Sequence, residues 1–523
     1  MKHPMHKSIL PLLLAMLCLL TTGCWSSDLQ EEGDALDGLI GAEGISDGRK
    51  DEETVALTSF ALPVLSGESL DPFTCGDGVQ QTLLPLLYEG LFALDPSFEP
   101  QKVLCEEYSA SEDFTVWTFT LRSALFSNGS TVTADDVVFS LQRAKASARY
   151  GARLAAVSSV RNQDGRVVIT LSEGNNRFPA LLEIPIIAKA SSGSTSPIGT
   201  GPYRYEADSG DGAQLVKNEH WQGAGSVPVD TIPLRAAEDT SALSYLFSSH
   251  GIQMLVTDYT GNSPVSYKGN LSVTDAPTAS MQYIAFNCAG GIFADATLRR
   301  AVSAGIDRDT LCRAYYSGHA QSAQFPVSPA SKWYPSALET TYSTENFQQA
   351  MTAAGYNNGR TVRAEMLVCE GNSARLSAAT AIAAALSVYD LKVSLKTMPY
   401  ADYIAALQSG NFDLYFGEVR MTPDFHCASL FQTGGSLNYG RFSDPAVDAQ
   451  IATAFTSVTA PVSANESLCT ALQQTAPAAV LCFKSVSVVL QGGAVDEITP
   501  TCFNPFYQLS NWQIHIKGEP TNG

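Results

Sequence analysis

Glu418 and Arg420 are two charged residues whose types and spacing suit the capture of a charged ligand. They are two positions apart, so their side chains would face the same side of an extended segment. A guanidinium group suits bidentate recognition of a carboxylate, and Glu418, or Asp424 nearby, suits an amine. The alternative is a mutual ion pair without a role in binding. The pair therefore predicts either a site for a zwitterionic or anionic ligand or a structural salt bridge.

No motif of catalysis accompanies this pair. The sequence contains no HExxH helix, no P-loop and no GxGxxG turn, and its GxSxG match at 44–48 lies in an acidic stretch rather than between a strand and a helix. The Gly-rich run at 199–202 is interrupted by Pro202, and no Lys-Ser/Thr follows it. There is no CxxC pair or Cys/His cluster at zinc spacing either. We therefore expect that the protein is not an enzyme and needs no cofactor or metal; the alternative is a catalytic triad assembled from residues that are distant in sequence.

The charge balance limits the classes of partner. The 523 residues include 32 Lys and Arg against 52 Asp and Glu, which gives a formal net charge of −20. A protein that wraps a phosphate backbone needs clustered basic residues, so we expect no nucleic-acid partner. The length predicts two to four domains and a core that needs no disulfides.

The first 23 residues have the pattern of a signal peptide. Lys2 and Lys7 precede an apolar run at 8–20, which is too short to span a membrane. The run ends at Gly23-Cys24, which is typical of a lipoprotein cleavage site and predicts Cys24 as the acylated first residue of the mature chain. The alternative is an ordinary signal peptide. The acidic stretch up to residue 53 then reads as a disordered tether.

Nine cysteines remain after Cys18 and Cys24 are set aside. They are Cys75, Cys105, Cys288, Cys312, Cys369, Cys427, Cys469, Cys482 and Cys502. An exported protein can use cysteines in disulfides, but none of the nine lies in a tight scaffold. We favour buried free thiols that act as small apolar residues.

The folded body is predicted to begin near Thr54 and to mix strands with helices. A strand is expected at 54–64, a helix at 77–91 that Pro85 kinks or splits, and a half-buried strand at 114–121. A helix that starts after Thr133, with Asp136 three places on, has a variant of the capping box. The run 362–368, 373–388 and 391–396 reads as strand, helix and strand, which implies a partly parallel sheet.

Six short motifs along this body are similar to those of one known family. They are LYEGL at 87–91, the NG turn and TADDV helix at 128–137, PIGTGPY at 197–203, LRRAV with IDR at 298–308, AAGY at 353–356 and GGSLNYG at 434–440. In this order the motifs resemble the extracytoplasmic solute-binding proteins of peptide and nickel ABC importers, family 5. The resemblance covers about 54–512.

The resemblance implies an α/β fold of the type II periplasmic-binding-protein kind, with two lobes that close over a ligand and an extra inserted domain. We expect the signal peptide at 1–23 and the tether at 24–53. Lobe I, the extra domain and lobe II are then expected at 54–88, 197–285 and 478–523; at 89–196; and at 286–477, respectively.

The resemblance also places several residues in the cleft between the lobes. The expected ligand-binding residues are Thr74, Cys75, Tyr283, Asn287, Glu418, Arg420, Asn438 and Tyr439. Some have a structural alternative: Tyr283 and Tyr439 as core aromatics, Asn287 as a turn cap, and Cys75 as a packed thiol. In peptide receptors of this family an Asp that grips the peptide ammonium occupies the position of Val419, so that clamp is missing here.

The function implied is a membrane-anchored receptor that captures peptides on the extracytoplasmic side and delivers them to a permease with its ATPase subunits. The same fold with another solute (a nickel chelate, a sugar or another small organic ligand) and peptide sensing without uptake are the alternatives. A monomer is expected.

Overall fold

The computed structural model describes residues 59–207, 212–223, 225–496 and 498–516. The predicted signal peptide, Cys24 and the predicted tether lie outside the described residues, as does the start of the strand predicted at 54–64. Among the described residues, no helix is both long and apolar enough to cross a membrane.

Strands occur throughout the described body. They are β1 (Leu62–Leu65), β2 (Phe92–Leu94), β3 (Pro100–Lys102), β4 (Cys105–Ala110), β5 (Val116–Leu121), β6 (Val157–Gln163), β7 (Arg166–Leu171), β8 (Tyr203–Glu206), β9 (Gln214–Lys217), β10 (Thr231–Ala237), β11 (Met254–Thr257), β12 (Leu271–Phe286), β13 (Ala320–Ser322), β14 (Val362–Cys369), β15 (Leu391–Met398), β16 (Leu414–Arg420), β17 (Ala478–Gln491), β18 (Val495–Asp496) and β19 (Gln513–Ile514).

Helices alternate with these strands. They are α1 (Gly78–Leu87), α2 (Ala134–Ala146), α3 (Thr240–Ser248), α4 (Ala296–Ala304), α5 (Arg308–Tyr315), α6 (Thr344–Ala353), α7 (Ser373–Ser387), α8 (Tyr400–Ser409), α9 (Ala428–Phe431), α10 (Pro445–Thr456) and α11 (Pro461–Thr475).

Three local predictions are confirmed. In β5, Trp117 and Phe119 are buried, and the strand pairs antiparallel with β7. Helix α2 begins with the predicted capping box, in which the Thr133 N–H donates to Asp136 Oδ2 at 3.0 Å and the Asp136 N–H donates back to the Thr133 hydroxyl. Strands β14 and β15 pair in parallel on either side of α7 in the chain.

Helix α1 differs from its prediction. It is continuous through Pro85 and ends at Leu87, so the predicted split is not found. Pro85 lies in the last turn of the helix and removes a single backbone donor, its own N–H. The helix begins at Gly78 because the Asp77 side chain accepts the Val79 N–H at 2.6 Å and caps it.

The strands form three larger sheets. One has the order β1-β10-β9-β8, and a second has the order β4-β5-β7-β6. The third has the order β11-β17-β12-β16-β14-β15, with β13 beside β17. The long strands β12 and β17 pair antiparallel along most of their length, with register shifts near Pro277 and Gln282, so they join the β11 side of this sheet to the β16 side.

Three hydrophobic cores hold these sheets and their helices together. One core packs the first two sheets and α2 together. Alternate residues of β12 and β16 enter two others: Ile284 and Phe416 point into one, and Tyr283 and Tyr415 into the other. The two strands are therefore buried on both faces at 281–286 and at 414–417. The chain leaves the sheet at Arg420, the last residue of β16.

Candidate functional site

A cavity of about 760 Å³ lies where several segments of different sheets meet. Its walls come from the end of α1, the β2–β3 region, the segment after α2, the end of β16 and the chain at 503–511. These segments are far apart in sequence, so the cavity exists only in the folded protein. Its volume is within the range of roughly 300–1,000 Å³ typical of small-molecule sites.

Basic side chains dominate the charged lining. They are Lys102, Arg122, Arg149, Arg153 and Arg420. None of the five forms an ion pair with a carboxylate in the described part of the chain. In a protein with a net charge of −20, a group of unpaired cations around one cavity is a local reversal of sign. The cavity therefore favours an anionic ligand.

A tight turn after α2 places two of these arginines. The Ser147 hydroxyl caps it by accepting the Tyr150 N–H at 3.2 Å. Gly151 is required here, because a Cβ at this position would lie 2.7 Å from the Ser147 carbonyl oxygen. The turn brings Arg149 and Arg153 to the cavity on either side of Tyr150.

The guanidinium of Arg153 is held firmly. Its Nη1 donates to the Glu183 backbone carbonyl at 2.9 Å, and its Cζ lies 4.9 Å from the Phe503 ring centroid. Burial lowers the pKa of Arg153 below its usual range, as expected for a cation removed from water. The remaining N–H groups of Arg153 are the ones that a ligand carboxylate could use.

Two carboxyl groups also line the cavity. Glu89 accepts the Trp221 indole N–H at 2.9 Å, and burial raises its pKa. Glu183 accepts the Leu94 N–H at 3.2 Å through Oε1, whereas its Oε2 is buried with no hydrogen-bond partner among the described residues. Burial, only partly offset by Arg153, raises the pKa of Glu183 to about 8.

Arg420 lines this cavity, whereas Glu418 is bound to other side chains of the protein. The Glu418 carboxylate pairs with Arg375 at 2.5 Å and with Lys484 at 3.4 Å, and it accepts the Gln282 amide at 3.2 Å. No ion pair joins Glu418 to Arg420 among the described residues, so the predicted alternative of a mutual salt bridge is wrong. The strand is extended as expected, but Glu418 binds side chains of other elements.

Asp424 is also engaged within the protein. It is 2% exposed, and its carboxylate accepts the Asn175 amide at 2.7 Å and the Thr422 hydroxyl at 2.5 Å. A carboxylate used in this way fixes the loop after β16 and is closed to a ligand amine. Asp424 is therefore a structural residue, and its predicted role as an amine-binding group is wrong.

The aromatic residues predicted for the cleft pack mainly in the protein interior. Tyr283 is 4% exposed, lies edge-to-face with Tyr415, and has a pKa raised to about 12 by burial. Tyr439 is half-buried and packs at the edge of the same core, also next to Tyr415. These positions are those of core aromatics, the alternative that the sequence left open.

The asparagines hold turns. The Asn287 amide donates to the Phe412 carbonyl at 3.0 Å, and the Asn438 amide donates to the Phe442 carbonyl at 2.7 Å. Asn438 and Tyr283 line a separate cavity of about 10 Å³, which has room for little more than one water molecule. Neither asparagine lines the large cavity.

Thr74 and Cys75 lie in the turn before α1. Thr74 is exposed, and its N–H donates to the Asp71 carbonyl at 3.2 Å. Cys75 is 6% exposed, and burial raises the pKa of its thiol. Neither residue lines the large cavity, so Arg420 is the member of the predicted set that reaches it.

The sequence interpretation missed Arg149, Arg153 and Glu183. Arg149 lies beyond α2, which ends at Ala146, and it lines the cavity. Arg143 instead pairs with Asp71 at 2.9 Å. The local signal was limited to two arginines, Arg149 and Arg153, four positions apart directly after a helix.

All nine remaining cysteines are free thiols in the structure, and six of them are buried as predicted, whereas Cys288, Cys369 and Cys502 are half-buried. Among the described residues, no group of three or more His, Cys, Asp or Glu side chains is arranged to hold a metal ion.

Comparison with protein-family models gives a match over residues 99–439 to the bacterial extracellular solute-binding proteins, family 5 Middle. The glutathione-binding protein GsiB of Escherichia coli K12 is 26% identical over 310 residues, which cover 56% of this chain. The matched region spans 60% of the length of that relative.

Solved structures show the same fold. The periplasmic murein tripeptide-binding protein MppA, in an unliganded open form, aligns with a TM-score of 0.72 at 20% identity and covers 88% of this chain and 98% of its own. A nickel ABC transporter protein from Bacillus halodurans aligns with a TM-score of 0.70 at 20% identity over 86% of this chain and 98% of its own. The prediction of an α/β, two-lobe periplasmic-binding-protein fold with an extra domain is therefore confirmed.

Proposed function

Because the chain belongs to the bacterial extracellular solute-binding proteins of family 5, we propose that it is the receptor of an ABC importer and captures a small anionic peptide. Proteins of this family bind solutes for transport and are not enzymes. The ligand would occupy the cavity and would then be passed to a permease driven by its ATPase subunits.

The observation that carries the proposal is the unpaired basic lining of the cavity. Arg149, Arg153 and Arg420 reach it from two separate segments, and each guanidinium can hold a carboxylate through two parallel hydrogen bonds. Arg149 and Arg420 are exposed and Arg153 is partly buried, so these like charges attract anions to the cavity and are neutralised when an anionic ligand binds. A peptide with more than one carboxylate supplies that neutralisation.

The relatives support a ligand of this kind. One relative is a glutathione-binding protein and one structural neighbour binds a murein tripeptide. A nickel chelate is the second candidate, because a neighbour is a nickel ABC transporter protein and the carboxylate oxygens of a chelate can accept hydrogen bonds from arginines. The cavity would accept such a chelate through its arginines, without protein side chains as metal ligands.

The domain limits stay proposals. We place lobe I at 54–88, 197–285 and 478–523, the extra domain at 89–196, and lobe II at 286–477. The cavity would then lie where lobe I and the extra domain meet the end of β16 in lobe II, so a ligand in it would contact both lobes.

The anchor is also a proposal and rests on the sequence. Acylation of Cys24 would hold the receptor on the extracytoplasmic face of a membrane, with the acidic tether giving the folded body reach. Peptide binding in the cavity requires no anchor, so the two proposals are tested separately.

Isothermal titration calorimetry on protein stripped of ligand by unfolding and refolding tests the function. We use reduced glutathione, which has two carboxylates and one ammonium group, together with triglycine and the nickel–histidine complex. Glutathione should bind at least about tenfold more tightly than triglycine, because one further charged contact contributes about 1.5–3 kcal/mol. Equal affinity for triglycine and glutathione would contradict the proposal, and tighter binding of the nickel complex than of both peptides would support the chelate.

A further inference from the structure

The cavity lining includes one buried carboxyl oxygen that none of the residues described by the structure satisfies. Glu89 and Glu183 are the two acids in its lining, and Glu89 is occupied by the Trp221 indole N–H. Glu183 uses Oε1 to accept the Leu94 N–H, while Oε2 is buried without a partner in the described part of the chain. A buried polar atom of this kind requires a partner, and each exception in a folded protein calls for an explanation.

The surroundings of Glu183 do not supply that partner. The titratable and charged groups that face it from the turn after α2 and from the C-terminal segment are Arg149, Tyr150, Arg153, Cys502 and Tyr507. Arg420 approaches Arg153 and Cys502 from the end of β16. Arg153 gives its hydrogen bond to the backbone carbonyl of Glu183 and forms no ion pair with its carboxyl group. The Oε2 atom therefore stays available to a ligand.

A peptide needs such an acceptor here. Its free amino terminus is an ammonium group with three donors, and Val419, which lies between Glu418 and Arg420, has a side chain without an acceptor. The other acids near the end of β16 are used internally, since Glu418 pairs with Arg375 and Asp424 accepts from Asn175. Glu183 is the acid of the cavity lining that has a buried carboxyl oxygen without a hydrogen-bond partner among the described residues.

We infer that Glu183 accepts the ammonium group of the bound peptide through Oε2, while Arg420 and the arginines of the α2 turn hold its carboxylates. The inference rests on the proposed function and specifies the ligand class as a small peptide with a free amino group and a net negative charge. Binding is accompanied by loss of the Glu183 proton to solvent, which leaves a carboxylate beside the ammonium.

The proton balance follows from the protonation of Glu183 before a ligand binds. With a pKa of about 8, Glu183 is mostly protonated at pH 7. An ammonium at hydrogen-bond distance favours the ionised carboxylate, so peptide binding at pH 7 should release most of one proton. A ligand carboxylate against the same group would instead keep it protonated and would release none.

The experiment compares wild type with Glu183→Gln, which keeps an oxygen for the Leu94 N–H and the neutral charge of the empty site. Glu112→Gln, an exposed acid of the predicted extra domain outside the cavity lining, is the matched control. A pool of di- and tripeptides rich in Asp and Glu is offered in free-amine form and in N-acetylated form. Thermal shift detects binding, and the captured peptide is identified by mass spectrometry.

Calorimetry with that peptide in phosphate and in Tris buffer then measures proton release. We expect the free-amine peptide to bind Glu183→Gln at least about tenfold more weakly than wild type, because a charge-assisted hydrogen bond is lost. Proton release should disappear in the same variant, and Glu112→Gln should match wild type in both readouts.

A measurement without ligand checks the folded state of the variant. Because folding raises the Glu183 pKa from 4.5 to about 8, the native state binds more protons than the unfolded state between these values. The stability of the wild type should therefore fall as pH rises from 4.5 to 8 relative to Glu183→Gln.

The results that would contradict the inference alone differ from the result that would contradict the receptor function. If free-amine and acetylated pools stabilise wild type equally, or if Glu183→Gln binds the free-amine peptide as wild type does, the inference is wrong and the receptor function stands. If neither pool stabilises wild type, the peptide-receptor function itself is wrong and the inference falls with it.

Discussion

Replacement of Arg420 by Ala separates a binding role from a structural one. Arg420 is exposed at the end of β16, and its side chain makes no hydrogen bond or ion pair to any residue that the structure describes. Its loss should change the free energy of unfolding by no more than about 0.5 kcal/mol, as for an ordinary surface substitution. The thermal midpoint of the free protein should therefore be nearly unchanged.

The effect on binding should be much larger. A hydrogen bond between the Arg420 guanidinium and a ligand carboxylate is charge-assisted and contributes about 1.5–3 kcal/mol. Its loss should raise the Kd of an anionic peptide by about 10- to 150-fold. Arg420→Lys keeps the charge but loses the planar fork, so its Kd should lie between those of wild type and Arg420→Ala.

Calorimetry on these variants measures the Kd, and a melting curve measures the stability. Arg363→Ala is the matched control, because Arg363 lies exposed on β14 of the same sheet and outside the cavity lining. If Arg420→Ala binds the peptide as tightly as wild type but melts markedly lower, Arg420 is a structural residue and the charge of the ligand must be recognised elsewhere.

Three further outcomes are expected. Glu418→Gln should lower the free energy of unfolding by about 1–3 kcal/mol, because it leaves the nearly buried Lys484 and Arg375 without their shared carboxylate; an unchanged urea midpoint would contradict this pairing. Small-angle X-ray scattering should show a smaller radius of gyration with saturating peptide, since only a closed state contacts both lobes, and identical profiles would exclude closure. Cys24→Ser should move the protein from the membrane fraction to the soluble or secreted fraction, and a mutant that still pellets after a salt wash would rule out acylation at Cys24 as the anchor.

The fold was predictable where the signal was local. The alternation of Trp117 and Phe119 identifies β5, and the capping box at Thr133 marks the start of α2, because both patterns act within a few residues. The parallel pairing of β14 with β15 follows from the strand–helix–strand run. Helix α1 ended earlier than predicted, since an apolar residue such as Leu91 can be buried just beyond a helix as well as within it.

The site was only partly predictable, because its parts are distant in sequence. Arg420 was identified from its type and position, but Glu418 lies 43 residues from Arg375 and 66 residues from Lys484. Nothing in the local sequence indicates those partners. The raised pKa and the unpaired Oε2 of Glu183 both result from its burial in the folded protein. The local sequence around this residue does not indicate that burial.

Native mass spectrometry of the purified mature protein tests the central claim most directly. Protein from rich medium should carry a bound mass that dissociates on activation and fragments as a small peptide with net negative charge. The same preparation of Arg420→Ala should lose most of that mass. A co-purified neutral sugar, a nickel chelate or a cationic peptide retained equally by both proteins would contradict the account of an anionic-peptide receptor.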